Sequence, residues 1–324
     1  MTRVSVIIPT QRRPGPLETA ARSVLLQQGV DLGEMEMVVV DNDQMPSAAG
    51  FVAKLAGEAP FPVRYVHEPS PGVANARNAA MEAAQGELIA FLDDDEEAPP
   101  TWLAALLRAQ LRYGADVVFG PVLARADWAK IKHPTYLERF FSRVGPAESG
   151  VIDHYYGCGD SLVRRAALPD PKRPFSAVRN QIGGEDDLLF GAMEGAGAKF
   201  AWASEAWVWE DPVPDRLTLG YALLRAFAFG QGATAHCAAA GDRLGVARWM
   251  AMGVAQAAAY ALIAAAQRAV RSERFVFSLD RAARGLGKTL WWKPFKIRFY
   301  GKRSSAQAIH PGPRSAAALR TSAS

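Results

Sequence analysis

Five consecutive acids, Asp93-Asp94-Asp95-Glu96-Glu97, follow the apolar run Leu88-Ile89-Ala90-Phe91-Leu92 and precede Pro99-Pro100. Carboxylates this close raise one another's pKa and oppose folding unless a cation sits among them. A hard divalent metal suits such a cluster, because it takes oxygen ligands and bridges to substrate phosphates. Taken alone, the triplet fits a solvated acidic turn equally well, so its neighbours decide. Asp41-Asn42-Asp43 closes a second apolar run, Met35 to Val40, and Glu185-Asp186-Asp187 follows Gly183-Gly184. Acids at that last place also suit a plain helix start, where the dipole favours them.

These polar clusters need elements to carry them. Val4–Pro9, Met35–Val40, Val63–Val66, Glu87–Leu92 and Ala115–Phe119 read as strands. Pro14–Gln28, Val73–Ala84 and Trp102–Tyr113 read as helices between them, with a further helix after Gly184-Glu185-Asp186. Strands alternating with helices of this length imply βαβ units and a mainly parallel sheet. Ligands of such sheets bind beyond the carboxyl ends of the strands. Those ends carry Pro9-Thr10-Gln11-Arg12, Asp41-Asn42-Asp43 and Asp93-Asp94-Asp95, so three clusters converge on one cleft. Neither GxGxxG nor GxxxxGK[ST] follows the first strand, which leaves phosphates to metal and side chains. Residues 121–182 are rich in Pro, Gly and aromatics and carry no chemical motif. Lys199–Trp202 and Ala206–Trp209 read as two short strands.

The 324 residues can bury a full core, and 49% hydrophobic with 22% charged residues is a globular composition. Two cysteines, Cys158 and Cys237, have no metal-ligand spacing and suit a reducing compartment. Pro9 interrupts the first apolar run too early for a signal-peptide layout. The net charge of +4 is unevenly spread: residues 1–267 hold 24 Lys/Arg against 31 Asp/Glu, and residues 268–303 hold 11 against 2. The basic end implies an anionic partner surface. Trp249 to Ala266 carries no charge, but its alanine content favours a packed or membrane-seated helix over a spanning one. Trp291-Trp292-Lys293-Pro294-Phe295-Lys296-Ile297-Arg298-Phe299-Tyr300 interleaves aromatics and cations, as a headgroup interface requires. A nucleic-acid surface has the same composition. The last residues, 304–324, read as disordered.

The Val4–Thr10 strand, Val39-Val40-Asp41-Asn42, Pro71-Gly72-Val73-Ala74-Asn75-Ala76-Arg77-Asn78, Leu92-Asp93-Asp94-Asp95 and Gly184-Glu185-Asp186-Asp187 occur in this order. Together they resemble the family 2 glycosyltransferases of the GT-A fold, over about residues 3–235, and within them the succinoglycan-type exopolysaccharide β-glucosyltransferases. The resemblance implies a GT-A-like, mainly parallel sheet sandwiched by helices. Residues 1–120 would form a nucleotide-binding half and 121–235 an acceptor half, followed by a helical membrane-associating segment over 236–303. It implies a UDP-sugar donor and Mg²⁺ or Mn²⁺, with Asp95 as metal ligand and Asp93 as the donor-side contact. Asp94 would turn away. Asp41 matches the carboxylate that meets the nucleotide base, and Pro9, Thr10 and Arg12 line the nucleotide site. Arg77 would pair with Asp41 or the phosphates, or form a structural ion pair. Asp186 matches the catalytic base, with Glu185 beside it toward the acceptor.

Two departures stand out. Many relatives place a metal-contacting histidine beyond the Glu-Asp helix, where this chain has Trp207-Val208-Trp209-Glu210-Asp211-Pro212 and Glu210 is the candidate replacement. An arginine commonly follows the Glu-Asp pair; here that stretch is Phe190-Gly191-Ala192-Met193, leaving Arg216 or Arg225 for the phosphates. His67, His133, His154 and His236 form no metal spacing.

The expected partners are therefore a UDP-sugar, a polyprenyl-diphosphate-linked saccharide and the cytoplasmic face of a bacterial inner membrane, with no nucleic acid beyond the nucleotide sugar. A nucleotidyltransferase would also use acidic metal ligands but usually needs a Gly-rich loop where Pro9-Thr10-Gln11-Arg12-Arg13-Pro14 stands. A non-catalytic nucleotide- or nucleic-acid-binding protein would account for the basic end. It would not account for an acidic strand end paired with a distant Glu-Asp.

Overall fold

In the computed structural model, which describes residues 3–179 and 184–297, apolar runs become strands covered on both faces. β1 (Val4–Thr10) is buried at all but one position and β2 (Met35–Asp41) at every one. Such near-continuous burial is the mark of a parallel sheet with helices on both sides. β1 pairs in parallel with β2 and with β4 (Leu88–Phe91), and β2 with β3 (Val63–His67). The β1 register places Thr10 beside Asp41, and Leu92 N–H bonds to Ile7 O, so the strand ends finish close together. Alternation splits each strand between two cores. Val4, Val6 and Ile8 face one core with α1 (Pro14–Leu25), α2 (Ala49–Glu58) and α4 (Trp102–Tyr113). Ile7, Val38 and Val40 face the other with α3 (Val73–Ala83) and α6 (Glu185–Gly195).

The second half of the sheet is mixed. β6 (Val117–Phe119) and β10 (Phe200–Trp202) run parallel, but β9 (Ser161–Arg164) inserts antiparallel between β4 and β6, and β8 (Gly150–Ile152) closes the edge. β8 and β9 arise inside the stretch that reads as irregular in sequence. At three and four residues each is too short for a clear alternation, and its pairing is long-range. The Ala49–Glu58 helix likewise has no counterpart among the elements read from the sequence.

A second, three-stranded sheet matters more for chemistry. β5 (Glu96–Glu97) and β7 (Val122–Ala124) flank β11 (Val208–Glu210), which pairs Glu210 with Glu96. This small sheet brings a residue more than a hundred positions downstream back to the acidic strand end.

Beyond α5 (Pro134–Phe141), three helices complete the described chain: α7 (Leu219–Ala239), α8 (Arg243–Ala269) and α9 (Phe275–Thr289). A boundary at residue 235 falls inside α7. α5, α7 and α9 share a small apolar cluster around Tyr136, Leu137, Ala222 and Val276. α8 and α9 meet through glycine: a Cβ on Gly285 would lie 2.6 Å from Ala257 N. The two glutamines of α8 turn inward. Gln256 accepts from Lys288 Nζ (2.6 Å) and donates to Arg281 O (2.7 Å), and Gln267 accepts from Ser278 (2.8 Å). Met252, Val254, Leu262 and Ile263 are exposed on its outer face. Large apolar side chains thus stand where a soluble amphipathic helix carries polar ones. Among the described residues α8 is the one helix long and apolar enough to cross a membrane, by length and composition. Arg298-Phe299-Tyr300 and the 304–324 tail lie outside the described residues.

Candidate active site

The sharp exit from β1 builds the first wall. Arg12 adopts a left-handed backbone (φ 55°), and Pro14 opens α1 two residues later. This corner aims Arg13 at the acidic strand end: its guanidinium reaches Asp94 at 2.6 Å and Asp95 at 3.0 Å. Arg13 is thus the cation that the acid run demands from within the chain, and it went unrecognised in the sequence because nothing local marks it. Thr10 spends its hydroxyl on Asp94 Oδ2 (2.7 Å). Asp94 turns into the protein, as strand alternation predicts, and burial pushes its carboxyl up to about 6. Thr10 is buried, so its side chain secures the acid loop rather than facing a ligand.

Two other sequence expectations shift. Asp41 is fully buried and accepts from Ala48 N–H (2.7 Å), Tyr65 OH (3.0 Å) and Ser47 OH (3.1 Å). Its carboxylate is committed to shaping the 42–48 turn instead of standing open to a base. Burial and Asp41 push the Tyr65 phenol up to about 12. Arg12 lies beside it, exposed, and clamps Asp43 through two contacts of 2.7 and 2.6 Å. Pro9 is half-buried at the same strand end. Arg77 pairs with neither Asp41 nor open solvent. Its buried guanidinium donates to Glu185 Oε1 (2.6 Å) and to Asp93 Oδ1 (3.3 Å), 5.6 Å from the Phe175 ring. One arginine on α3 therefore ties the acid run to the start of α6.

Asp93 keeps its side chain 37% exposed, the most open member of the triplet. Glu96 accepts from Asp93 N–H (2.8 Å), and burial together with Asp93 and Asp160 holds its carboxyl well above the usual range. Asp95 is raised by burial and by Asp93, against the pull of Arg13. Glu210, brought in by β11, is pushed up to about 8 by burial and by Asp95 and Asp93. The shared cause is crowded negative charge that the local arginines only partly offset. Among the described residues no group of three or more His, Cys, Asp or Glu side chains forms a cage for a metal ion. Two hard carboxylates facing a phosphate-bearing substrate is nevertheless how Mg²⁺ is commonly held, so Asp95 and Glu210 fit an ion shared with a diphosphate.

The opposite wall is Gly157-Cys158-Gly159-Asp160, a run that carries no recognised motif. Arg143 holds it by donating to Gly157 O (2.9 Å), Gly159 O (2.7 Å), Asp160 O (2.9 Å) and Gly120 O (3.0 Å). Gly159 lets this loop approach the acids closely: a Cβ there would lie 2.7 Å from Asp93 Oδ2 and 2.8 Å from Glu96 Oε1, and both carboxylates would have to shift. Cys158 N–H donates to Asp186 Oδ2 (3.2 Å), while Asp187 N–H donates to Asp186 Oδ1 (3.0 Å). Two backbone donors thus fix the Asp186 carboxylate at the first turn of α6. The glycine pair flanking a cysteine was the available sequence signal. Gly183 lies outside the described residues.

Asp160 ends this loop with its side chain fully buried, its Oδ1 accepting from Trp102 Nε1 (2.7 Å). Burial pushes its carboxyl up to about 7, against the opposing pull of Arg143 and the Trp102 hydrogen bond. A raised folded value means the native state keeps a proton that the unfolded chain releases near pH 4, so stability from this group falls as pH climbs from about 4 to 7. Asp160→Asn should therefore gain stability relative to the parent as pH rises from 5 to 8, read as the difference in thermal midpoints. Parallel midpoints across that range would disprove it.

The sequence that carries the acid strand end matches a known family model. The description Glycosyl transferase family 2 covers residues 5–170. Succinoglycan biosynthesis protein ExoM of Rhizobium meliloti (strain 1021) is 36% identical over 231 residues, 70% of this chain and 73% of that protein. The chain belongs to glycosyltransferase family 2. This glycosyltransferase is also 29% identical, over 39% of its length and 40% of the other's, to GalNAc(5)-diNAcBac-PP-undecaprenol beta-1,3-glucosyltransferase of Campylobacter jejuni subsp. jejuni serotype O:2 (strain ATCC 700819 / NCTC 11168). Among solved structures, S. aureus TarS superimposes with a TM-score of 0.52 at 20% identity, over 70% of this chain and 40% of TarS. TarS 1-349 in complex with UDP-GlcNAc gives the same TM-score of 0.52 at 20% identity, over 65% of this chain and 59% of that one. At such identity these two likenesses establish the fold. The family match reaches residue 170; Asp186 and Glu210 lie beyond it and rest on the geometry above.

Proposed function

We propose that this enzyme is an inverting, divalent-metal-dependent glycosyltransferase that moves a sugar, glucose, from a UDP-sugar to a lipid-linked saccharide during exopolysaccharide or cell-envelope polysaccharide synthesis. The observation that carries this reading is the Arg77 bridge, which holds Glu185 at 2.6 Å and Asp93 at 3.3 Å and so sets the acceptor-side acids against the donor-side acids. Arg12, Pro9 and the ends of β1 and β2 border the nucleotide. Asp93 is exposed enough to meet the ribose and diphosphate. Asp95 and Glu210 would hold the metal, which when bound supplies Lewis-acid stabilisation of the departing diphosphate. Asp186 accepts the proton of the acceptor hydroxyl as its oxygen bonds to the anomeric carbon. The carbon–oxygen bond to UDP breaks in the same step, its electrons leave with UDP, and an α-linked donor becomes a β-linked product. Glu185, neutralised by Arg77, keeps the start of α6 in place.

Seating at the cytoplasmic face of the inner membrane is supported by the exposed apolar face of α8 and by the basic excess after residue 268. Its apolar outer face would lie in the interface with flanking arginines on headgroups. A polyprenyl-diphosphate-linked acceptor is found at such a surface.

UDP release from UDP-glucose with Mg²⁺ or Mn²⁺, measured with a lipid-linked acceptor extract, tests the proposal. Asp95→Ala should lower kcat/KM by at least about a hundredfold, the scale of losing one transition-state charge contact, and should raise the metal concentration needed for half activity. Undiminished activity at low metal would remove Asp95 from this role. Pyrophosphate release from UTP and a sugar phosphate, in place of UDP release, would overturn the reaction class.

A further inference from the structure

A groove of about 600 Å³ lies beside the active site, between the 125–133 segment and the approach to α7. It begins where the acid strand end stops. Arg125, on its wall, clamps Asp211 at 2.8 and 2.9 Å and Glu97 at 2.6 Å, and Asp211 N–H bonds to Asp95 O at 3.1 Å. Its lining is chemically divided. Ile131, Leu217 and Leu219 are apolar, while Lys130 and Lys132 stand on the rim. Arg125 is neutralised by its two acids. Lys130 pairs with Asp127 (2.6 Å) but stays 82% exposed, and Lys132 makes no ion pair among the described residues. Ile131 and Leu219 also belong to the apolar cluster that docks α7 and α9. The groove therefore leads from the acidic cleft toward α7 and α9, and α9 in turn packs on α8, whose outer face is apolar.

An apolar trough with ammonium groups at its rim suits an amphiphilic phosphate. The nucleotide's place, in the reading above, is at the β1 and β2 ends. We propose that this groove seats the lipid-phosphate end of the acceptor. Lys130 and Lys132 meet phosphate oxygens, and Ile131, Leu217 and Leu219 pack on the first units of an isoprenoid chain. This rests on the reading of the acceptor as lipid-linked and extends it to a site.

Binding can be tested separately from catalysis. Farnesyl diphosphate is titrated against the full chain in EDTA, which silences the metal site, with tryptophan fluorescence as readout. Saturable binding is expected, weakened about tenfold or more in Lys132→Glu and in Leu217→Asp. Inorganic pyrophosphate and farnesol should each bind at least about tenfold more weakly than farnesyl diphosphate. Thermal midpoints confirm that both variants fold. Pyrophosphate matching farnesyl diphosphate would reduce the groove to a free-phosphate site, and farnesol matching it to a plain apolar one. Unchanged affinity in both variants would move binding elsewhere, and no binding by the parent chain would end the proposal. Donor turnover by the parent enzyme, measured with metal, reports on the glycosyltransferase reading independently of these outcomes.

Discussion

Asp186→Asn should lower kcat for sugar transfer by about 10²–10⁴-fold, the usual contribution of a positioned general base, while UDP-sugar affinity stays within about twofold. The asparagine oxygen can still accept from Cys158 N–H or Asp187 N–H, now 3.2 and 3.0 Å from the carboxylate. Local geometry is thereby retained and only the proton acceptor is lost. The carboxylate is held by two backbone donors, and among the described residues no arginine contacts it directly, so its removal strands no buried cation. Single-turnover transfer and calorimetric UDP binding on the same preparation separate the two effects. Transfer near the parent rate would exclude Asp186 as the base; a parallel loss of donor binding would make it part of the donor site instead.

Arg77→Met is expected to be the most destabilising single change, by about 3–5 kcal/mol, because it leaves a buried carboxylate without its cation. Glu185 has a side chain only 5% exposed and sits 2.6 Å from Arg77. Its carboxyl is already raised by burial, with Arg77 opposing. Transfer should be lost as well, since the start of α6 is no longer tied to Asp93. A second variant separates folding from chemistry. Arg77→Met combined with Glu185→Leu removes both charges, and replacing a buried pair by apolar groups is often neutral for stability. Denaturant unfolding should show the double variant recovering most of the stability while transfer remains impaired. Full recovery of activity would mean that the bridge is only structural.

The acid run shows how far sequence reasoning reaches. Its placement at a strand end follows from five apolar residues before it, and the inward turn of Asp94 from strand alternation. Glu210 was nominated because a histidine is missing at its position, and β11 places it against Asp95 and Asp93. Asp41 and Thr10 were legible as strand-end residues, but the direction of each side chain was not. Their hydrogen bonds go to Tyr65, Ala48 and Asp94, partners chosen by packing across strands. Arg13, Arg143 and the Gly157–Asp160 loop were missed because each acts on residues far away in the chain. Arg13 meets acids 81 and 82 positions on. In α8 the uncharged run from Trp249 to Ala266 was plain from composition. Which face carries Gln256 and which carries Leu262 depends on α9, whose Gly285 lets the two backbones approach.

By itself the sequence determined the alternation of strands and helices, the acid clusters at their ends and the basic character of the last helices. These are local properties, carried by period, composition and turn residues within a few positions. Only the tertiary structure decided which charges meet. Arg77 could have served Asp41, a phosphate or another acid, and it serves Glu185, 108 positions away, because α3 and α6 pack on the same face of the sheet. Charge pairing in a protein interior is set by which surfaces are buried together, and burial is a property of the assembled chain.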